Sequence, residues 1–390
     1  MLKELIAEFC PHGVEFLPIK KICIKISSGG TPKSSVKEFY NGKISWLRTQ
    51  DIDWNEITKT SMTITEEGLK NSSAKWIPAN CVIVAMYGAT TGKVAVNKIP
   101  LTTNQACCNL QVDEKIADYK FVYYCLASNY KVLKSMGEGS QNNINSGKIK
   151  NFKIPIPPLP VQNEIVRILD TFTELISLLT EELTLRKKQY EYYRDKLLTF
   201  DNVPIIKLGE IGKVSMCKRI MKNETSDSGE IPFYKIGTFG KTADAFISRE
   251  LFEKYRKNYS YPNKGDILIS AAGTIGKTVI FDGEPAYFQD SNIVWVANDE
   301  AKVLNKFLYY WYQKISWKVS KGGTIARLYN DDISNAKIPV PPIEEQERIV
   351  EILDKFDKLC NDLCEGIPAE IAARKKQYEY YRDLLLNFET

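Results

Sequence analysis

Gly273-Thr-Ile-Gly-Lys-Thr278 has the glycine, lysine and threonine that close a phosphate-binding loop of the GxxxxGK[ST] kind. The glycine required five residues before Gly276 is Ala271, and in the related run Thr90-Thr-Gly-Lys93 the lysine is followed by Val94. A nucleotide site is therefore disfavoured against a strand–turn–strand with a basic tip, whose lysine and backbone N–H groups can hold a nucleic-acid phosphate. Nucleophilic and metal chemistry fare no better. His12 is the only histidine, which argues against Ser-His-Asp or Cys-His catalysis. The nine cysteines show no CxxC pair, so Cys107-Cys108 and Cys360/Cys364 read as free thiols rather than zinc ligands. No Asn-Pro-Pro-aromatic tetrapeptide of an adenine methyltransferase and no nuclease-like carboxylate–lysine cluster is present. The expectation is no catalytic residue, no metal and no cofactor.

What remains is chemistry that binds. Thr31 and Lys33 lie in the glycine-rich loop Ser27–Ser35. Arg48 and Gln50 have side chains suited to guanine and adenine edges. Ser140, Gln141 and Asn142 in one polar loop correspond to Thr324 and Arg327 in another, and Lys218, Arg219 and Lys235 are further basic candidates. With Thr90, Lys93, Thr274 and Lys277, these form the expected DNA-binding set. Each alone is also what a solvated loop would show; their recurrence at matching places favours recognition.

That recurrence is a property of the whole chain. Lys153–Asp170 (KIPIPPLPVQNEIVRILD) returns as Lys337–Asp354 (KIPVPPIEEQERIVEILD), offset by 184. Arg186–Asp195 (RKKQYEYYRD) returns unchanged as Arg374–Asp383, offset by 188. Fainter matches upstream pair Pro78 with Pro262, Thr90–Lys93 with Thr274–Lys277, and Gly139 with Gly323. The layout is variable region, repeated block, variable region, repeated block, with expected bounds 1–152, 153–200, 201–336 and 337–390.

The repeated blocks carry apolar residues at alternating three- and four-residue steps: Ile165, Ile168, Phe172, Leu175, Leu179, Leu183, Tyr190, Tyr193 and Leu197 in the first. Proline is tolerated at a helix start, so Pro160 sets the beginning of a helix of about 40 residues, roughly 60 Å. In the second block Gly366 and Pro368 should bend or break the helix, while its four extra residues should add about one turn. The two helices are expected to pair and to hold apart two mixed α/β domains. Met1–Phe9 reads as a short amphipathic helix. Because the ten-residue run is identical twice, two copies of one partner are expected on Arg186, Lys187, Tyr190, Tyr193 and Arg194 and on Arg374, Lys375, Tyr378, Tyr381 and Arg382.

Composition sets the outer bounds. The 390 residues exceed one ordinary domain; 44% are hydrophobic and 26% charged, as in a soluble globular protein. No run approaches the roughly 20 apolar residues of a membrane span, and the scattered cysteines point to a reducing, cytoplasmic setting. A net charge of +5 permits nucleic-acid binding without requiring it.

At the KIPxPPxxxQxxIVxILD blocks, the RKKQYEYYRD runs, Gly30-Thr-Pro-Lys33 and the TGK turns, the chain resembles the specificity subunits of type I restriction–modification systems. That resemblance implies an α+β fold: two mixed α/β target-recognition domains joined and separated by two long helices in an antiparallel coiled coil, with a pseudo-twofold, circular internal repeat. Circularity implies that the N-terminal segment packs near the end of the C-terminal helix. It implies a non-catalytic subunit on double-stranded DNA, each domain reading half of a bipartite asymmetric site. The implied partners are two methyltransferase subunits and two restriction–translocase subunits, with adenine methylation and ATP-dependent cleavage residing in them. A methyltransferase-only or type IIB-like system, and a coiled-coil adaptor without DNA readout, are the alternatives.

Overall fold

A computed structural model describes residues 2–138, 143–319, 326–362 and 364–388. The chain divides into two compact units, residues 1–180 with 371–390, and residues 181–370.

In the first unit, strand Val82–Ala85 is buried on both faces, which is why it reads as an unbroken apolar run. It sits at the centre of a five-stranded sheet with Cys23–Ser28, Cys107–Val112, Val94–Asn97 and Glu56–Ile57. Val82 and Val84 face a core shared with helix Tyr119–Ser128, the start of helix Leu159–Leu197, and Leu386. Ile83 and Ala85 face the opposite core, which Leu47, Ile77 and Leu101 of a second, four-stranded sheet complete. Strand Phe16–Pro18 pairs antiparallel with Lys153–Pro155.

The second unit repeats the plan. Strand Ile267–Ser270 lies between Ile293–Asn298 and Thr278–Ile280 in a four-stranded sheet. Ile267 and Ile269 face the helices, and Leu268 faces an aromatic core containing Phe233, Phe252, Phe281 and Tyr287. Strand Ile205–Lys207 pairs with Lys337–Pro339 just as the corresponding strands pair in the first unit.

The helical blocks follow the apolar pattern. Helix Leu159–Leu197 is 39 residues long and gives its residues up to 180 to the first unit and the rest to the second. Within each unit it meets an antiparallel partner. In the first, Phe172 stacks on Tyr381 of helix Ile367–Leu386 at 5.4 Å and 22°. In the second, Tyr193 stacks on Phe356 of helix Ile343–Asn361 at 5.7 Å and 24°. The same pair is thus made twice with the partners exchanged. The expected added turn is corrected: helix Ile343–Asn361 ends before Asp362, and a new helix starts at Ile367. A Cβ on Gly366 would lie 2.5 Å from the Lys358 carbonyl, and Pro368 has no N–H to extend a helical ladder. The extra residues therefore form a tight connection. Helix Leu2–Phe9 places Leu5 and Ile6 on the same core as Leu385, Leu386 and Phe388, which is the circular closure expected.

Candidate nucleic-acid interface

In the first unit the sheet ends gather five polar segments. Strand Tyr40–Leu47 delivers Arg48, whose N–H donates to Asp51 (3.1 Å) and whose Nη2 donates to Ser61 (3.3 Å). Gln50 is exposed at the tip of that turn. Thr90 Oγ1 donates to the Thr49 carbonyl at 2.9 Å. Lys93 pairs with Asp53 at 2.6 Å and lies 4.4 Å above the Trp54 ring. Trp54 adopts φ 50°, a left-handed conformation that is unusual for a bulky residue and that these contacts hold. Gly30 N–H donates to the Thr103 carbonyl at 2.9 Å, and Thr31 Oγ1 donates to Gln105 Oε1. Lys33 is exposed on the same loop. Finally, Met86 N–H donates to Ala106 and Ile144 N–H donates to Met86, bringing Asn143 to the same rim.

The second unit builds the same frame with other side chains. Asn104 N–H bonds the Leu47 carbonyl, and Gln289 N–H bonds the Tyr234 carbonyl. That equivalence puts Lys235 where Arg48 stands, and the Lys235 N–H is likewise capped three residues on, by Thr238 Oγ1. Ala271 N–H donates to Asn292 and Leu328 N–H donates to Ala271, which puts Arg327 in the place of Asn143. Asn109 opposite Ile83 and Trp295 opposite Leu268 hold like places, and strand pairing sets Ser27 opposite Asn109 and Ser215 opposite Trp295, which puts Arg219 where Thr31 stands. Each then touches the turn before the next buried strand: Thr31 touches Gln105, and Arg219 pairs with Asp290 at 2.9 Å.

The TGK runs are strand–turn–strand hairpins, Val82–Ala85 to Val94–Asn97 and Ile267–Ser270 to Thr278–Ile280. No helix follows the lysine, as a nucleotide-binding loop requires. Gly92 and Gly276 have φ 84° and 81°, and a side chain on Gly276 would strike the Trp317 ring at 2.6 Å. Lys277 Nζ donates to the Phe239 carbonyl at 2.6 Å, and Thr274 is exposed at the tip. Lys235 pairs with Asp244 at 2.9 Å, Lys218 lies 5.1 Å over Tyr259, and Arg327 Nη2 donates to the Ser291 carbonyl and Asn292 Oδ1. Ser140, Gln141, Asn142 and Thr324 lie outside the described residues. Among the described residues no group of three or more His, Cys, Asp or Glu is placed to hold a metal ion. No described helix is long and apolar enough to cross a membrane.

Reasoning from sequence missed Asn104 and Gln105 and, in the second unit, Gln289, Asp290 and Asn292. The available signal was a pair of amide or acid residues shortly before a buried strand, Asn104-Gln105 ahead of Cys107–Val112 and Gln289-Asp290 ahead of Ile293–Asn298.

In the twin ten-residue runs, burial divides the side chains. Tyr190 is 7% exposed, donates to Gln313 (3.1 Å) and belongs to the second unit's core; burial raises its pKa. Tyr378 packs on the first unit's core. Arg194 lies over Tyr190 and Arg382 over Tyr378, each at 5.8 Å. Arg186 and Arg374 donate to Gln189 and Gln377, one turn away. Lys187, Lys375, Tyr192 and Tyr380 point outward, with the two tyrosines 61% and 64% exposed. Tyr193 and Tyr381 are partly spent on their stacks with Phe356 and Phe172.

Two units with one backbone frame and different rim side chains, each continued by a helix bearing the same surface, define a duplicated recognition protein built on a helical support. Comparison with known proteins gives the class its name. The family model described as the type I restriction modification DNA specificity domain matches residues 11–185 and again 201–373. A type I restriction enzyme specificity subunit of Haemophilus influenzae is 56% identical over 278 residues, covering 69% of this chain and 72% of that one. The EcoR124I/EcoR124II specificity subunit of Escherichia coli is 36% identical over 291 residues, covering 69% and 70%. The crystal structure of a type I restriction–modification S subunit from M. genitalium shares the fold, with TM-score 0.59, 19% identity and coverage of 97% and 98%. The chain belongs to the type I restriction modification DNA specificity family.

Proposed function

We propose that this chain is the DNA-reading subunit of a type I restriction–modification complex and that it is not itself an enzyme. The observation that supports this most is the repeated frame. Equivalent backbone hydrogen bonds hold Arg48 and Lys235, Thr31 and Arg219, and Asn143 and Arg327 at like places, so one scaffold offers two different chemical faces. Residues 1–152 and 201–336 would each read half of a bipartite site in double-stranded DNA. The set Thr31, Lys33, Arg48, Gln50, Thr90 and Lys93 would serve the first half, with Ser140, Gln141 and Asn142 beside it. Lys218, Arg219, Lys235, Thr274, Lys277, Thr324 and Arg327 would serve the second.

Residues 153–200 and 337–390 would set the spacing and dock two methyltransferase subunits through the outward side chains of the twin runs. Adenine methylation would reside in those subunits, and ATP-driven translocation and cleavage in two further ones. The test is co-expression with the neighbouring methyltransferase in a methylation-free bacterial host, with modified bases mapped by single-molecule sequencing. A bipartite motif that depends on this chain is expected, and exchange of residues 201–336 with a relative's should alter one half only. Co-purification without any motif would refute DNA readout and leave an adaptor.

A further inference from the structure

We infer that Arg219 reads a guanine in the second half-site, held in its reading pose by Asp290; this rests on the DNA-reading function proposed above. A cavity of about 940 Å³ opens on the second unit, with Arg219, Lys235, Gln289, Asp290, Asn292 and Arg327 in its lining. Arg219 Nε donates to Asp290 Oδ2 at 2.9 Å. The carboxylate is 16% exposed and the arginine side chain 67% exposed. Nη1 and Nη2 have no partner among the described residues and form the outer edge of the fork.

The arrangement suits a base better than a phosphate. Guanine presents two acceptors, O6 and N7, on its major-groove edge, and a fixed guanidinium meets both at once. Anchoring Nε on a carboxylate fixes the plane of the fork before binding, so less side-chain freedom is lost on contact. A cation meant only to attract phosphate gains nothing from a carboxylate at 2.9 Å, which cancels part of its charge. The carboxylate also suits the paired cytosine, whose N4 amino group is a donor that Asp accepts. Arg327 is a positioning residue here. Its Nη2 bonds to the Ser291 carbonyl and Asn292 Oδ1 pin the turn that carries Asp290. The first unit has the Thr31 hydroxyl and the Gln105 amide at the equivalent contact, with no guanidinium. The effect is therefore confined to the second half-site.

The experiment is the methylation-motif map of the complex with its methyltransferase, carried out for wild type, R219A, R219K and D290N. The second half-site, identified as the half altered by exchanging residues 201–336, should contain a G·C pair. In R219A, discrimination at that one pair should fall about 5- to 150-fold, with the first half-site and the gap unchanged; R219K, which keeps a donor but loses the planar fork, should fall less. D290N should relax the same pair less, and combining it with R219A should add nothing. Retained discrimination at every pair in R219A would overturn the assignment. An even loss of methylation at every position in R219A would overturn it as well. A wild-type chain giving no bipartite motif would remove the DNA-reading function, and the assignment with it.

Discussion

Replacing Gln162 with leucine should destabilise the first unit by about 3–5 kcal/mol. The Gln162 side chain is fully buried, and all of its described hydrogen bonds go to backbone. Oε1 accepts from Asp118 N–H at 2.9 Å, and Nε2 donates to the carbonyls of Pro157 (2.7 Å) and Ile116 (3.1 Å). One amide thus joins the start of the long helix to the loop that opens helix Tyr119–Ser128. Leucine fills similar space but leaves one buried N–H and two carbonyls without their partner. A buried orphaned group costs about 1–3 kcal/mol, less for a carbonyl that finds another donor. For a unit near 200 residues, this corresponds to roughly 6–20 °C in its unfolding transition. Gln346 makes the same three bonds in the second unit, to Leu304 N–H and the carbonyls of Pro341 and Lys302, so Q346L should weaken that unit alike. Calorimetry reads the transitions, and hydrogen exchange at the Asp118 or Leu304 amide reads the local opening. Q162E sets a carboxylate against two carbonyls. It should be worse than leucine at neutral pH and should recover as falling pH supplies a proton to donate. Stability of Q162L within about 0.5 kcal/mol of wild type would refute the reasoning.

Other perturbations follow from single contacts. A Cβ on Gly29 would lie 1.8 Å from the Thr103 carbonyl oxygen, so G29A should cost about 1–3 kcal/mol and displace the Thr31–Lys33 loop; motif mapping should show the first half-site weakened and the second intact. Native alkylation at pH 8, read by mass spectrometry, should label exposed Cys364 first. Cys81, Cys108 and Cys217, whose burial pushes their pKa up to about 12, should react only after unfolding. Burial raises the pKa of Asp266 above its ordinary 3.8, so the folded state favours its proton. That stabilisation is complete below the ordinary value and is lost as pH rises through the elevated one. D266N, which keeps the acceptor for Asn263 N–H, should flatten denaturation midpoints across that window.

The helices and buried strands were legible because each carries a local signal. The three-and-four spacing placed the long helix within two residues of its observed ends, and the strand–turn–strand expected at the TGK runs is present in both units. Two features were not legible. The connection at Asp362–Gly366 follows from the closeness of Gly366 to the Lys358 carbonyl, a contact that periodicity does not encode. The equivalence of Thr31 with Arg219 and of Arg48 with Lys235 is carried by backbone pairing, since their offsets of 188 and 187 hide it from an alignment at the fixed offset of 184. Reading residue types along the chain therefore found the arginines but not the turn residues that position them.

The unchanged ten-residue run is the basis for expecting two identical partners, yet packing explains part of its constancy. Tyr190 and Tyr378 each enter a core, Tyr193 and Tyr381 each stack on a phenylalanine from the opposing helix, and Arg194 and Arg382 each cover a tyrosine ring. Any duplicated antiparallel helix pair would preserve those positions. Burial in a core does not account for Lys187, Glu191 and Tyr192, or for Lys375, Glu379 and Tyr380, which are exposed and equally unchanged, Tyr192 and Tyr380 meeting only the rings of Tyr193 and Tyr381 edge-on at 5.3 Å. An exposed tyrosine present twice outside both cores is the part of the run on which the proposed methyltransferase docking rests. Y192A and Y380A should therefore weaken methyltransferase co-purification while leaving both unfolding transitions in place, whereas Y190A should lower the second unit's transition directly.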